Sequence, residues 1–298
     1  MISINIIYLP QESAAHKVYE NSNGEVWRSG TYDENKINIG MSWYSLRDPK
    51  PNDNLWVIEP RCVSEIDYDP NFVCRFNKIF TWSKAFENTE FKDKVVKLNH
   101  PNFHYWDTNI HNKWIPWEKR RNEIVFIANN KHSKHDSELY SMRIELAELL
   151  SQTKYKVSWF GQIPINKPYY VSKAGDKFDL LNRVKFSVCI ENCYDGLYSY
   201  NYLSEKMPEV WQAGCIPLYM GCHNIDDYFT SGYIDLRKFI IKDNNKFIID
   251  HKEQLVNYIN NFNESKKIQN EIKDIVSKDQ MHIFGFNPTY EAMINAFK

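Results

Sequence analysis

Short apolar runs separated by polar punctuation mark the first hundred residues, a length and period that suit buried strands better than helices. Ile2–Tyr8, Leu55–Ile58 and Lys78–Trp82 are the clearest, each rich in β-branched or aromatic residues, and the second is stopped by Glu59-Pro60. Helical periodicity between them is weak, so the pattern assigns no topology there. The stretch His111–Arg121, HNKWIPWEKRR, is polar and basic with Pro116 inside it, and it reads as a connector between two lobes. Its Lys119-Arg120-Arg121 run reads as a solvated face.

Beyond the connector the pattern alternates. Glu123–Ala128 predicts a buried strand, and Ser137–Leu150 a helix whose Leu139, Met142, Leu146 and Leu149 recur at spacings of three and four. Asp136 or Ser137 is the expected cap of that helix. Lys156–Gly161 and Arg183–Ile190 predict further strands. A helix over Ser204–Ala213 is stopped by Gly214, and strand Ile216–Met220 closes on Gly221. Lys252–Ser277 reads as one or two helices, with a last short helix after Pro288. Strands alternating with helices predict an α/β fold with a parallel, doubly wound sheet.

Composition narrows the function. The chain has 298 residues, 43% hydrophobic and 25% charged, the profile of a globular protein. Lys and Arg number 37 against 38 Asp and Glu, a balance that argues against nucleic-acid binding, which needs a basic excess. No apolar run reaches the roughly 18 residues of a membrane span, and Met1–Tyr8 lacks a signal peptide's basic start. A cytoplasmic protein without a transmembrane segment, at most peripherally membrane-associated, is expected. The six cysteines form no paired CxxC units and read as buried thiols.

Several motifs are set aside. No GxGxxG or Walker lysine loop is present, which sets aside dinucleotide dehydrogenases and P-loop NTPases, and without GxSxG an α/β-hydrolase loses support. Asp67-Tyr68-Asp69 matches a metal-binding DxD, but Asp69-Pro70 reads as a turn. His132 and His135 lack a third and fourth ligand at suitable spacing. No metal site and no cofactor are therefore expected. Aromatics reach 15%, and Trp106, Trp114 and Trp117 read as core packing ahead of a sugar-stacking face.

Ligands of doubly wound sheets sit at the carboxyl ends of the strands, beside helix N-termini. Two segments there carry suitable chemistry: Asn129–His135 with Arg143 in the following helix, and Glu191–Lys206 between a strand and a helix. A first-turn lysine such as Lys206 opposes the helix dipole, which points to an anion nearby, and a diphosphate suits free N–H donors and a cation.

Three runs carry a resemblance: Val184–Asn192 (VKFSVCIEN), Tyr202–Lys206 (YLSEK) and Ala213–Gly221 (AGCIPLYMG). In order and spacing they resemble the donor-binding core of the α-1,3/1,4-fucosyltransferases, glycosyltransferase family 10. Phe126–Asn130, with Arg143 downstream, is similar to that family's SN…R segment, and the resemblance spans residues 123–240. Cys193 and Ser204 stand where the family usually has hydroxyl residues and Thr, and the loop Cys193–Asn201 is longer.

The resemblance implies a GT-B-like fold, two Rossmann-like lobes with a cleft between them. Residues 1–118 would form the acceptor lobe, 119–280 the nucleotide-sugar lobe, and 281–298 a helix packing back on the first. The implied reaction is inverting transfer of fucose from GDP-fucose to a saccharide hydroxyl, in an α-1,3-type linkage. Arg143 and Lys206 would pair with the diphosphate, and Glu205 would accept from the ribose hydroxyls. Tyr202 and Asn192 would contact the nucleotide, with Asn129, Glu191 and Ser204 completing the donor set. Glu59, directly after the Leu55–Ile58 strand, is the expected catalytic base, with Glu65 and Asp67 as fallbacks. The same fold using another nucleotide sugar, or a non-catalytic glycan-binding module, are the alternative readings.

Overall fold

A computed structural model describes residues 1–8, 14–42, 48–101 and 106–298. The chain divides into two compact units: Met1–His104 with Asp195–Tyr202 and Ile283–Lys298, and Tyr105–Tyr194 with Leu203–His282. Residues 106–118 thus group with the second unit, not with the first as the sequence suggested.

The first unit is built on strands β1 (Ile2–Ile7), β2 (His16–Asn21), β3 (Gly24–Ser29), β4 (Ile37–Met41), β5 (Asn54–Val57), β6 (Ile79–Thr81) and β7 (Val95–Lys97). Their order is β2-β3-β1-β4-β5-β6-β7, parallel except for the edge strand β2. Side chains alternate across it. Ile4, Ile6, Ile39, Trp56 and Phe80 pack on one face against Tyr290, Met293 and Ile294 of the C-terminal helix Phe286–Asn295. Leu55, Val57 and Ile79 pack on the other, against Phe72, Val73 and Phe76 around the short helix α1 (Pro70–Val73). A polar seam runs through the sheet. Asn5 is 1% exposed, and its amide donates to Asn38 Oδ1 while its carbonyl accepts from Ser29 Oγ. Buried amides persist in a sheet only when satisfied in this way.

The second unit has six parallel strands: β8 (Arg121–Ile127), β9 (Lys156–Phe160), β10 (Tyr170–Ser172), β11 (Val184–Ile190), β12 (Ile216–Met220) and β13 (Ile234–Asp235). Their order is β10-β9-β8-β11-β12-β13. β12 and nearly all of β11 are buried, as expected of strands covered on both faces. The helices are α2 (Tyr140–Leu150), α3 (Lys177–Asn182), α4 (Lys206–Gln212), α5 (Lys252–Asn260) and α6 (Ser265–Ser277). The hairpin of β14 (Ile240–Asp243) and β15 (Lys246–Ile249) stands apart as its own two-stranded sheet.

Local expectations are met with three corrections. First, α2 starts at Tyr140, later than expected, with Leu139 and not Asp136 or Ser137 at the N-cap, while the Glu138 carboxylate one residue earlier accepts from Tyr140 N at 2.6 Å and Ser141 N at 3.1 Å. Second, Arg120 is no solvated residue. It is 3% exposed, and its guanidinium donates to the carbonyls of Ile115, Leu181, Val184 and Ala213 and to Asn182 Oδ1. Arginine's fixed fork of five donors suits such a nest of carbonyls. Third, only four of the six cysteines are buried: Cys62 is half-buried and Cys74 exposed. Gly214 ends α4 with φ +63°, and a Cβ there would lie 2.4 Å from the Trp114 ring. Trp114 Nε1 donates to Gln212 O, Trp106 Nε1 to Val276 O, and Trp117 packs edge-on against Phe186, contacts that tie each partly buried ring to the second unit.

Candidate active site

Strand order fixes where a ligand belongs in the second unit. From β8 the chain adds β9 and β10 on one side, then returns to add β11 and β12 on the other. The crevice outside the carboxyl ends of β8 and β11 is therefore the topological switch point, where open α/β sheets bind ligands. β8 leads there into Ala128-Asn129, and β11 into Glu191-Asn192.

Arg143 reaches the end of β11 from α2. It is 4% exposed, and its Nη2 donates to Ile190 O at 2.8 Å, Glu191 O at 2.9 Å and Asn192 Oδ1 at 3.1 Å. Lys206 comes from the other side, as the first residue of α4. Its Nζ lies 3.0 Å from Glu191 Oε2 and 2.9 Å from Ser204 Oγ, and its side chain keeps 20% exposure. Burial pulls the Lys206 ammonium toward neutrality, but Glu191 and Glu205 outweigh it and hold the group above the ordinary lysine value, with Arg143 opposing. The two cations thus converge on Glu191-Asn192.

Other expected donor residues fall into place unevenly. Glu205 is half-buried at the N-cap position of α4 and lines a small cavity with Lys206 and Lys177. Asn129 Oδ1 accepts from Gln162 N at 2.7 Å. It lines a groove of about 380 Å³ with Ala128, Phe160, Gly161, Lys173 and Lys177, a volume in the range of small-molecule sites. Gly161 is needed there: a Cβ would lie 2.3 Å from Ala128 O. Gln162, Lys173 and Lys177 were missed in the sequence, although the glycines at 161 and 175 flag close backbone turns after β9 and before α3. Glu191 and Ser204 are buried, at 0% and 3% exposure, and bond each other.

Tyr202 groups with the first unit. It is 2% exposed, stacks on Trp82 with ring centroids 4.8 Å apart, and meets His100 edge-on at 5.2 Å. Its neighbours in the long loop behave likewise. Asn201 Nδ2 donates to Trp82 O, Tyr198 packs against Tyr68, and the Arg61 guanidinium lies 4.4 Å over the Tyr198 ring. Glu59 follows β5 and is half-buried, and its backbone carbonyl accepts from Tyr68 Oη at 3.0 Å. Glu65 is exposed, and Asp67 is fully buried. Asp69 caps α1 by accepting from Asn71 N at 2.9 Å, a structural duty for one carboxylate of the DxD match. Among the described residues no cluster of His, Cys, Asp and Glu is arranged to hold a metal ion.

No family model and no curated protein matches the sequence. The fold does match solved structures. An α1,3-fucosyltransferase superposes with a TM-score of 0.54 at 14% identity, covering 92% of this chain and 80% of its own. The same comparison with structures titled as α1,3-fucosyltransferase with GDP and with GDP-fucose gives TM-scores of 0.53 and 0.51 at 13% and 12% identity. Each covers 95% of this chain and 89% of that one. The protein has the two-sheet, GT-B-like α/β fold of these glycosyltransferases. Among the described residues, no helix is long and apolar enough to cross a membrane.

Proposed function

We propose that the chain is an inverting glycosyltransferase that moves fucose from GDP-fucose to a hydroxyl of a saccharide acceptor, in an α-1,3-type linkage, without a metal ion. The observation that carries this reading is the convergence of Arg143 and Lys206 on the end of β11 at the switch point. The fold shared with the α1,3-fucosyltransferases and the sequence resemblance around Glu191–Lys206 support the choice of donor.

In this reading the diphosphate lies beside Lys206 and Arg143, Glu205 accepts from the ribose hydroxyls, and Asn129 and Asn192 flank the nucleotide. The bond from the sugar's anomeric carbon to the β-phosphate oxygen breaks, and its electron pair leaves with GDP. Fixed cations in a partly dry site stabilise that growing charge, each worth about 2–4 kcal/mol at the barrier. The acceptor oxygen attacks from the opposite face and gives its proton to a carboxylate, for which Glu59 at the end of β5 is assigned. Tyr202 is left out of the donor set because its ring is buried against Trp82. The acceptor is a glycan and the setting cytoplasmic.

Calorimetric titration with GDP, GMP, UDP and GDP-fucose, with and without EDTA, tests the reading. GDP and GDP-fucose are expected to bind best, with no loss on chelation. Preference for UDP transfers the reaction to another nucleotide sugar, and no nucleotide binding at all favours a glycan-binding module.

A further inference from the structure

Resting on the donor reading above, we propose that Glu191 is a positioning residue: a buried carboxylate that fixes the Lys206 ammonium for the donor's diphosphate without itself touching the donor. Glu191 has no exposed surface, so a nucleotide in the crevice does not reach its oxygens. Those oxygens are engaged: Oε1 accepts from Ser204 N at 2.9 Å, and Oε2 from Ser204 Oγ at 2.6 Å and Lys206 Nζ at 3.0 Å. Lys206 Nζ also donates to Ser204 Oγ at 2.9 Å, which closes a triangle of three polar groups.

An ammonium carries three N–H bonds, two of which serve this triangle; the third is the one a phosphate oxygen takes. A lysine stem is otherwise free to sample many rotamers, and ordering it before the ligand arrives removes that entropy from the binding step. The neighbouring chain makes room for this arrangement. Gly221, just past β12, has φ +156°, and a Cβ on it would sit 2.1 Å from Glu191 Cγ. Glu191 N donates to Met220 O at 2.9 Å, and its carbonyl accepts from Arg143. The backbone of Glu191 is thereby clamped from two sides while its carboxylate faces the start of α4.

The charged and titratable groups around Lys206 are Glu191 just past β11, Glu205 and Glu209 from the α4 region, Arg143 from α2, Lys177 from α3 and the Cys189 thiol, which donates to Lys206 O. Removing the charge of Glu191 takes away the largest influence that raises Lys206 and leaves burial and Arg143 to favour the neutral amine, against Glu205 and the more distant Glu209.

Glu191→Gln keeps the shape and removes the charge. Competitive acylation of Lys206 across pH 7 to 11, followed by mass spectrometry, reads the amine's protonation with no nucleotide present. The midpoint in E191Q is expected about one pH unit or more below wild type. Calorimetry with GDP should show roughly tenfold weaker binding that falls further as pH rises, against a flatter wild-type profile over the same range. Glu191→Asp, which retains the charge, is expected to recover the flat profile. Should E191Q fail to fold, the wild-type midpoint decides: it is expected above that of an ordinary lysine, and one at or below that of an ordinary lysine overturns the proposal. An unchanged Lys206 midpoint, or GDP profiles that run parallel in wild type and variant, overturns the proposal. A wild-type protein that binds a different nucleotide overturns the donor reading alone, because the acylation result still decides the role of Glu191.

Discussion

Tyr202 stacks on Trp82 at an interplanar angle of 24°, although Tyr202 lies in sequence between two runs that build the other unit's crevice. The eight residues Asp195–Tyr202 thus pack with the first unit while Glu191 and Ser204–Lys206 on either side belong to the second. Tyr202→Leu retains most of the buried volume and should leave GDP affinity within about threefold of wild type, while Tyr202→Ala should cost about 3–5 kcal/mol of stability. Calorimetry alongside thermal unfolding separates the two effects. A tenfold loss of GDP affinity in a stably folded Tyr202→Leu protein would return this residue to the donor site.

Lys206 and Arg143 make the sharpest functional test. Lys206→Ala and Arg143→Ala should each weaken GDP binding tenfold or more, about 1.4 kcal/mol. Their stability signatures should differ. Lys206→Ala leaves the Glu191 carboxylate buried without its cation, a loss of about 3–5 kcal/mol. Arg143→Ala strips donors from the carbonyls of Ile190 and Glu191, at about 1–3 kcal/mol for each buried acceptor left unsatisfied. GDP affinity equal to wild type in both variants would sink the diphosphate assignment.

Glu59 is tested by a variant that changes charge and little else. Glu59→Gln should bind GDP as wild type does and turn over about 10²–10⁴-fold more slowly. The comparison is between calorimetry with GDP and fucosyl transfer measured at saturating donor. Near-normal turnover would show that the proton goes elsewhere, and Asp67 offers no ready substitute because it is fully buried.

The second unit was more legible in the sequence than the first, and for a physical reason. β8, β9, β11 and β12 each carry an unbroken run of three or more buried residues, as strands covered on both faces do, and glycines and helices separate them. In the first unit β3 begins at Gly24, and β4 carries Asn38 and Gly40, residues of poor strand propensity. Asn38 is tolerated because its amide bonds Asp33 O at 2.8 Å while its Oδ1 accepts from Asn5, a partnership that no local window reveals. The candidate site divides similarly. The resemblance implied Arg143 and Lys206 beside one diphosphate, but not that Glu191 is fully buried or that Asp195–Tyr202 group with the other unit. Both depend on contacts distant in sequence, as does the burial of Arg120 under carbonyls of Leu181, Val184 and Ala213.

Arg120 should matter to stability and not to chemistry. Arg120→Ala leaves four carbonyls and one side-chain amide short of a donor inside the protein, and the expected loss is on the order of 3–5 kcal/mol. Arg120→Lys should rescue little, since a single ammonium cannot span acceptors matched to a planar fork. Denaturant midpoints of the two variants check this. A Lys variant as stable as wild type would mean that the charge, and not the donor geometry, is what the site requires.

Alkaline pH above about 10 should lower the stability of the protein. Tyr290, 3% exposed in the core beneath the first sheet, is pushed up to about 12 by burial, with Arg28 opposing weakly. Tyr258 is pushed to about 12 by burial and the nearby Glu264 carboxylate. The sign follows from which state ionises first. Below pH 10 both states hold neutral phenols and nothing is lost. Between about 10 and 12 the unfolded chain releases these protons while the native core retains them, so stability falls as pH rises. For Tyr290 the full loss amounts to about 2–3 kcal/mol once the pH passes the native value. Urea midpoints measured from pH 8 to 11 should hold level and then drop, and Tyr290→Phe should shallow the drop. An equally steep fall in that variant would assign the alkaline transition to other groups, of which the buried Tyr219 and Cys189, both raised by desolvation in the second unit, are the next to replace.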